Sequence, residues 1–371
     1  MNMKKQNKHS IDSKGPQWGP MPARTVGVDI GDKHSWCCTL DEHGEVINLA
    51  RVATSKKALG KKFETMEPCR IGLEVGTHSP WISRLLESFG HEVIVANARE
   101  MKAISQSSRK DDRVDAETLA RLARADPRLL RPIRHRGEEA QADLMVIRGR
   151  AVLVGARTKV ANAARGLAKA AGERLPHCAA EALGPEHLAE LPTPLRTALE
   201  PLLKQVRSLT EQIRAYDKKI AEAAKSKYPE TKLLKQVSGV GDLIALTFVL
   251  TIDDPKRFRR SRDAGCYVGL RPRRSNSGQD EPELPITKEG DGYLRVLLVQ
   301  GAHYVLGWRG PDTDLRRWGL KLAERGRKNA KKRAVVAVAR KLAVLLHQLW
   351  VSGEVYEPLR NSRAKAKPAA A

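Results

Sequence analysis

Apolar and polar positions along the chain follow two different periods, and the change from one to the other divides it into three stretches. In the first, "TVGVDI" and "WCCTL" read as short buried strands, Thr25 to Ile30 and Trp36 to Leu40, the second closed by the turn "DEHG". "CRIGLEVG" is a further strand that ends in an acid, and "SPWISRLLESFG" a helix with Trp81, Ile82, Leu85, Leu86 and Phe89 apolar and Gly90 as its stop. "HEVIVANA" is another strand, and "RKDDRVDAETLARLARA" opens a helix. Strands alternating with helices predict an α/β domain over residues 23–135.

From residue 136 the period becomes helical and stays so. Leu144, Ile147, Ala151, Val154, Thr158, Ala161, Ala164 and Ala168 recur at spacings of three and four. Leu195, Leu199, Leu202, Val206, Leu209, Ile213, Tyr216 and Ile220 repeat the pattern after the break "GERLPHCAAEALGPEHLAELPTP". Two long helices with narrow apolar stripes predict an antiparallel coiled-coil arm over 136–228, the second helix starting or kinking at Pro201. Residues 229–352 read as a mainly helical domain. "LLKQVSGVGDLIALTFVLTI" gives helix, Gly-Val-Gly turn and helix, a helix-hairpin-helix-like element. Such a turn presents backbone N–H groups to a phosphate, or is simply a tight turn. A helix over Tyr293 to Leu306 follows, then a last one, "KNAKKRAVVAVARKLAVLLHQLW". Residues 1–22, polar and lysine-rich, and 353–371 are expected to be disordered tails.

Charge changes this picture. Lys and Arg number 67 against 43 Asp and Glu, a formal net charge of +24. Such an excess points to a polyanionic partner, nucleic acid first. No apolar run approaches the roughly 20 residues of a membrane span, and no signal peptide precedes the first strand. The five cysteines show no CxxC pairing, which argues against a zinc ribbon and a disulfide framework and for a reducing cytoplasm. Aromatic residues make up 4%, too few for binding single strands mainly by stacking.

Against this basic background, four acids stand out by their setting. Asp29 interrupts an apolar strand, Glu74 ends another, and Asp112 and Asp115 lie one turn apart on a helix. Each alone has an ordinary explanation as turn residue, helix cap or partner of Arg113. Together, carboxylates that burial would otherwise penalise can converge on one or two Mg²⁺ ions, which take oxygen ligands. Two such metals clamp the attacking and leaving oxygens of a phosphodiester. "GVDIG" also opens the phosphate loops of sugar kinases and actin-like ATPases, but no second phosphate loop or glycine-rich adenosine motif follows.

Strand-Asp, strand-Glu, then Asp-x-x-Asp on a helix is the order of ribonuclease H-like nucleases of the RuvC type. "GVDIGDKH", "GLEVGTHSP" and "KDDRVDAETLARL" resemble the DEDD blocks of insertion sequence 110 family transposases. The stretch from Leu233 to Leu298 resembles the C-terminal domain of the same family through Gly239-Val240-Gly241, Phe258, Gly269-Leu270, Pro272, Ser277-Gly278, Ile286-Thr287-Lys288, Gly290 and Leu294-Arg295. The resemblance covers roughly residues 24 to 350. It implies a DNA transposase or site-specific recombinase with Mg²⁺ on Asp29, Glu74, Asp112 and Asp115, and a serine nucleophile at Ser277, with Ser275 as the alternative. It also implies a covalent phosphoserine link to DNA, a structured guide RNA encoded by the element, and a dimeric or tetrameric assembly. Arg271, Arg273, Arg274, Lys288 and Arg295 are the expected phosphate contacts, with solvated surface charge as the ordinary reading of each. Two departures bear on this. "QDEPEL" follows Ser-Gly where basic or small residues are usual, and Asp111 stands where Thr or Asn is common, so the ligand could be either Asp111 or Asp112. The other readings are an invertase of the same family, a Holliday-junction-type nuclease needing no serine, and a non-catalytic nucleic-acid-binding protein.

Overall fold

The computed structural model describes residues 19–20, 22–97, 111–274, 284–326 and 328–362, in two compact units, 1–136 and 137–371. The first unit is built on a five-stranded sheet. Strands β1 (Thr25–Asp29), β2 (His34–Leu40) and β3 (Val46–Ala53) form an antiparallel meander, and β4 (Arg70–Glu74) and β5 (Glu92–Ala96) continue from β1 in parallel, in the order β3-β2-β1-β4-β5. This mixed sheet is compatible with the ribonuclease H-like expectation.

The two faces of the sheet are sorted by strand alternation. Val26 and Val28 of β1 and Ile71 and Leu73 of β4 share a core with helices α1 (Lys56–Phe63) and α2 (Ser79–Ser88), through Leu59, Phe63, Ile82 and Leu86. The other face meets helix α3 (Asp112–Ala125), whose Ala116, Leu119, Ala120 and Ala123 are fully or almost fully buried. What allows this contact is the absence of side chains on the strands. A Cβ at Gly27 would lie 2.0 Å from the carbonyl oxygen of Ala116, and one at Gly72, the register partner of Gly27, 3.0 Å from the Ala123 Cβ. The helix therefore rests directly on the backbone of the two central strands.

Elements β3 and α1 were not legible beforehand. β3 is an edge strand whose Val46, Ile47 and Leu49 are exposed, so it lacks the alternation of a half-buried strand. The expected turn at "DEHG" is present, with Asp41 Oδ1 accepting the His43 and Glu45 amides at 2.9 Å. Part of the N-terminal stretch expected to be disordered is held. The buried Arg70 pairs with Glu92 at 2.6 Å and donates to the Gly19 carbonyl at 3.0 Å, while Glu92 Oε1 accepts the Gly19 amide.

In the second unit, α4 (Glu138–Ala170) and α5 (Thr193–Ser226) run antiparallel, with Arg150 against Asp217 at 2.5 Å, Lys227 against Asp143 at 3.3 Å, and Ala161 and Ala164 in one cluster with Leu203 and Val206. Two details differ from the pattern reading. Helix α5 begins at Thr193 and runs through Pro201. Proline removes one backbone donor, and here it does so on an exposed face. The buried stripe passes through Leu203, with Leu202 only half-buried. The lower ends of both helices share apolar contacts with α7 (Asp242–Ile252), Leu144 and Ile220 meeting Leu246 and Leu250.

Around α7 gather the short helices α6 (Glu230–Leu234) and α8 (Ser261–Tyr267), then α9 (Gly292–Leu306), α10 (Asp314–Ala323) and the central α11 (Ala330–Ser352). Contrary to the sequence reading, α11 is long and apolar enough to cross a membrane by length and composition alone. Its Val338, Ala339, Leu342, Ala343 and Leu346 are wholly buried within the helical core, which accounts for that composition. Residues 353–362, expected as part of a disordered tail, fold back on α10. The Pro358 carbonyl accepts the Asp314 amide at 2.8 Å, and the Asp314 carboxylate takes the Asn361 amide at 2.7 Å and the Ser362 hydroxyl at 2.5 Å. All five cysteines are free, and burial pushes the Cys37 and Cys69 thiols up to about 11.

Candidate active site

Asp29 and Glu74 are the last residues of β1 and β4. The register pairs Val28 with Leu73, so the two acids stand side by side at the same end of neighbouring parallel strands. Each lies two residues beyond the glycine on which α3 rests, and period-two alternation places it on the α3 face. On the helix, the sheet-facing positions 116 and 119 step back by one turn to Asp112 and Asp115. All four acids thus continue one contact surface toward one end of the sheet. The helix start is fixed there by Arg113, whose guanidinium lies 4.7 Å from the centre of the Trp36 ring, and Trp36 is the register partner of Asp29.

Asp29, Glu74 and Asp115 are half-buried and Asp112 is exposed. Among the described residues Glu74, Asp112 and Asp115 have no ion-pair partner. Asp111 is otherwise employed, its side chain accepting the Arg113 amide at 3.0 Å as the cap of α3. The set is all-oxygen and fits a hard divalent cation by donor chemistry. Register and helix phase put the acids on one face, but among the described residues no three His, Cys, Asp or Glu side chains are gathered closely enough to hold a metal ion.

Two further groups border this end of the sheet and were not singled out from sequence. His78 Nε2 is 3.5 Å from Asp32 Oδ1, and the Trp81 indole N–H donates to His78 Nδ1 at 3.1 Å, which puts the ring proton on Nε2 in the neutral form. This links the loop after β1 to the loop after β4. Ser79 Oγ, bonded to the Gly76 carbonyl at 2.8 Å, meets His135 Nε2 at 2.9 Å. Burial, with Arg84 and Arg136 close by, holds the His135 pKa below its usual value. The only advance signal was their position in "GTHSPW", directly after the Glu74 strand.

In the second unit, Ser277 and Ser275 fall outside the described residues. The flanks of the serine segment are pinned together by the bridge between Pro272 and Ile286, with Arg273 N–H to the Pro285 carbonyl and Thr287 N–H to the Arg271 carbonyl, both at 2.9 Å. Arg271, Arg273, Arg274 and Lys288 are exposed there, Arg271 lying 3.9 Å from Glu289. Arg295 has a bracing part that sequence reasoning did not assign. Its Nη1 donates to the carbonyls of Val268 at 2.9 Å and Glu289 at 2.8 Å. The Gly-Val-Gly turn joins α6 to α7, with Lys235 and Asp242 paired across it at 2.5 Å.

Comparison with known proteins accounts for both halves. Residues 26–171 match a DEDD transposase family model, and residues 231–316 match the model of the transposase IS116/IS110/IS902 family. The transposase for insertion sequence element IS1111A of Coxiella burnetii is 31% identical over 351 residues, 90% of this chain and 91% of that protein. The chain belongs to the IS110 family of transposases. A probable family 20 transposase of Pseudomonas aeruginosa is 27% identical over 90% of this chain and 98% of its own length. A putative transposase of Sinorhizobium fredii, y4pF/y4sB, is 32% identical over 83% of this chain and 79% of its own. As an IS110-family transposase the protein is a DNA-cleaving and strand-transferring enzyme, and its DEDD domain implies a ribonuclease H-like fold and suggests dependence on a divalent metal.

Proposed function

We propose that this transposase cuts and rejoins DNA with Asp29, Glu74, Asp112 and Asp115 as Mg²⁺ ligands and Ser277 as nucleophile, under the direction of a structured guide RNA encoded by the element. The observation that carries the metal assignment is the common face of the four acids at the ends of β1, β4 and α3. The capping work of Asp111 favours Asp112 as the ligand. Bound Mg²⁺ supplies Lewis-acid polarisation of the scissile phosphate. The chain's own residues hold the phosphodiester, with Arg271, Arg273, Arg274 and Lys288 as phosphate contacts and Arg295 keeping their loop in place. Ser277 Oγ attacks phosphorus, the bond from phosphorus to one deoxyribose oxygen breaks, and that oxygen takes up the serine proton. One phosphoester replaces another, so rejoining needs no outside energy source. Position decides the rate, because the hydroxyl must come within about 3–3.5 Å of phosphorus, in line with the leaving oxygen. The active assembly is a dimer or tetramer.

Asp115→Asn should abolish cleavage while nucleic-acid binding persists, and unchanged cleavage would remove the acidic set from the mechanism. Ser277→Ala should lose the protein–DNA adduct on a denaturing gel yet still assemble on DNA and guide RNA. An undiminished adduct would move the nucleophile to Ser275. Cleavage persisting with no adduct in the wild type would favour the Holliday-junction-type nuclease. Mixing the two variants tells whether acids and serine come from different copies, since shared sites restore activity.

A further inference from the structure

Trp308 is the most exposed large apolar side chain among the described residues, at 84%. A ring of this size, left in water, forgoes the burial that usually dominates its energetics. Nor is it on a slack segment. The turn that carries it, between α9 and α10, is tied on both sides of Trp308 and Arg309. Gly307 N–H reaches the His303 carbonyl at 2.9 Å and Gly310 N–H the Gly307 carbonyl at 3.1 Å. Arg316 Nη1 donates to the Val305 carbonyl at 2.7 Å and also to the Gly307 carbonyl. At Gly310 a Cβ would stand 2.3 Å from the Val305 oxygen, so the turn admits no side chain there. The backbone thus presents the indole at a set place.

Three features define what would meet it. The Arg309 guanidinium lies 4.4 Å from the Trp308 ring centre, a cation held against an aromatic face. Tyr304, 46% exposed, lies on the last turn of α9, before the extended Gly307, and touches the Gly239 turn. From Trp308 to Arg333, 26 residues hold ten Lys and Arg against three Asp and Glu. A second copy of a chain with net charge +24 would bring like charge to this surface, whereas a polyanion with flat rings complements both the charge and the indole.

We propose that Trp308, with Arg309 on its ring, is a stacking platform for an unpaired nucleobase, with Arg309 reaching the adjoining phosphate. Every base has a π-face, so one such platform tolerates any sequence and binds a frayed or looped-out strand in preference to a closed duplex. This deepens the DNA-transposase reading and rests on it, but it is read from binding alone and needs neither the acids nor the serine.

The test compares the full-length wild type with Trp308→Ala, Trp308→Phe and Arg309→Ala. Fluorescence anisotropy at fixed salt follows a short unstructured single-stranded DNA, its RNA counterpart and a blunt duplex of the same length. Trp308→Ala should weaken single-strand binding by about tenfold or more and leave duplex binding nearly unchanged, and Phe should restore most of the loss. Arg309→Ala should fall between wild type and Trp308→Ala. Loss confined to the DNA or the RNA arm identifies the strand that supplies the base. Equal single-strand affinity in Trp308→Ala, equal loss on duplex and single strand, or a changed mass in light scattering would overturn the platform. Cleavage surviving in Asp115→Asn would overturn the catalytic reading while leaving this one standing.

Discussion

Replacing Gly27 by alanine should destabilise the N-terminal unit, whereas the same replacement at Gly155 should stabilise the chain. At Gly27 the added carbon would meet the Ala116 carbonyl oxygen at 2.0 Å, the Ala120 nitrogen at 2.4 Å and the Ala120 Cβ at 3.0 Å. An ordinary non-bonded approach is about 3.5 Å, so α3 must withdraw by about 1.5 Å, and a gap of that size forfeits a large part of the dispersion energy of the contact. Ala116, Leu119, Ala120 and Ala123, at most 1% exposed, all lose their seating. Overpacking of this kind costs about 1–3 kcal/mol, and a clash with backbone on both sides belongs at the upper end. For a unit of this size each kcal/mol shifts melting by about 4 °C, so a fall of roughly 8–12 °C is expected. Gly155, exposed within α4, has nothing within 4 Å of its would-be Cβ, and alanine there should gain about 1 kcal/mol from helix propensity. Scanning calorimetry reads the change in melting, and a single-turnover cleavage assay adds the functional consequence. If Asp112 and Asp115 hold the metal as proposed, a withdrawal of α3 by more than about 1 Å should cost cleavage on the order of 100-fold or more. Melting within about one degree of wild type, with full cleavage, would refute the reasoning that the helix needs bare strand backbone.

Leu203→Ala should cost about 2–5 kcal/mol in urea unfolding, and Leu202→Ala clearly less, because only Leu203 is fully buried. Equal losses would mean that the burial of Leu203 does not set the stripe. His135 has its pKa lowered in the folded state, so the unfolded chain binds the proton more readily. Stability should therefore fall as pH drops below about 6.5, and His135→Gln should flatten that part of a melting-versus-pH curve. An identical curve for the variant would assign the acid sensitivity elsewhere. Affinity for DNA should fall steeply and linearly in a plot of log affinity against log salt, as expected of a chain with net charge +24. A flat plot would mean that phosphate neutralisation contributes little.

The parts of the fold that were legible in the sequence are those that gather apolar residues, the striped α4 and α5 and the almost wholly buried α7 alike. The apolar runs "TVGVDI" and "CRIGLEVG" disclosed the strands on which Asp29 and Glu74 lie, and three-four spacing disclosed α4 and α5. β3 escaped because an edge strand buries little and so has no pattern to show, and α1 because lysines and a glycine fill much of it. The choice between Leu202 and Leu203 failed for a related reason. Adjacent leucines satisfy the same period, and only packing against Ala161 and Ala164 decides between them. The bracing by Arg295 and the return of residues 353–362 on Asp314 depend on carbonyls and amides, which composition does not report. The shared face of the acids needed both the alternation and the glycines. A glycine in a strand looks like a weakness until the helix resting on it is seen.

The hold on Gly19 by Arg70 and Glu92 has a practical side. Arg70 begins β4 and Glu74 ends it, and four steps of strand amount to about 13 Å. The chain ahead of Gly19 therefore joins the domain at the opposite end of the sheet from the acids. A fluorophore placed at Gly19 itself would report on the end of the sheet away from Asp29 and Glu74.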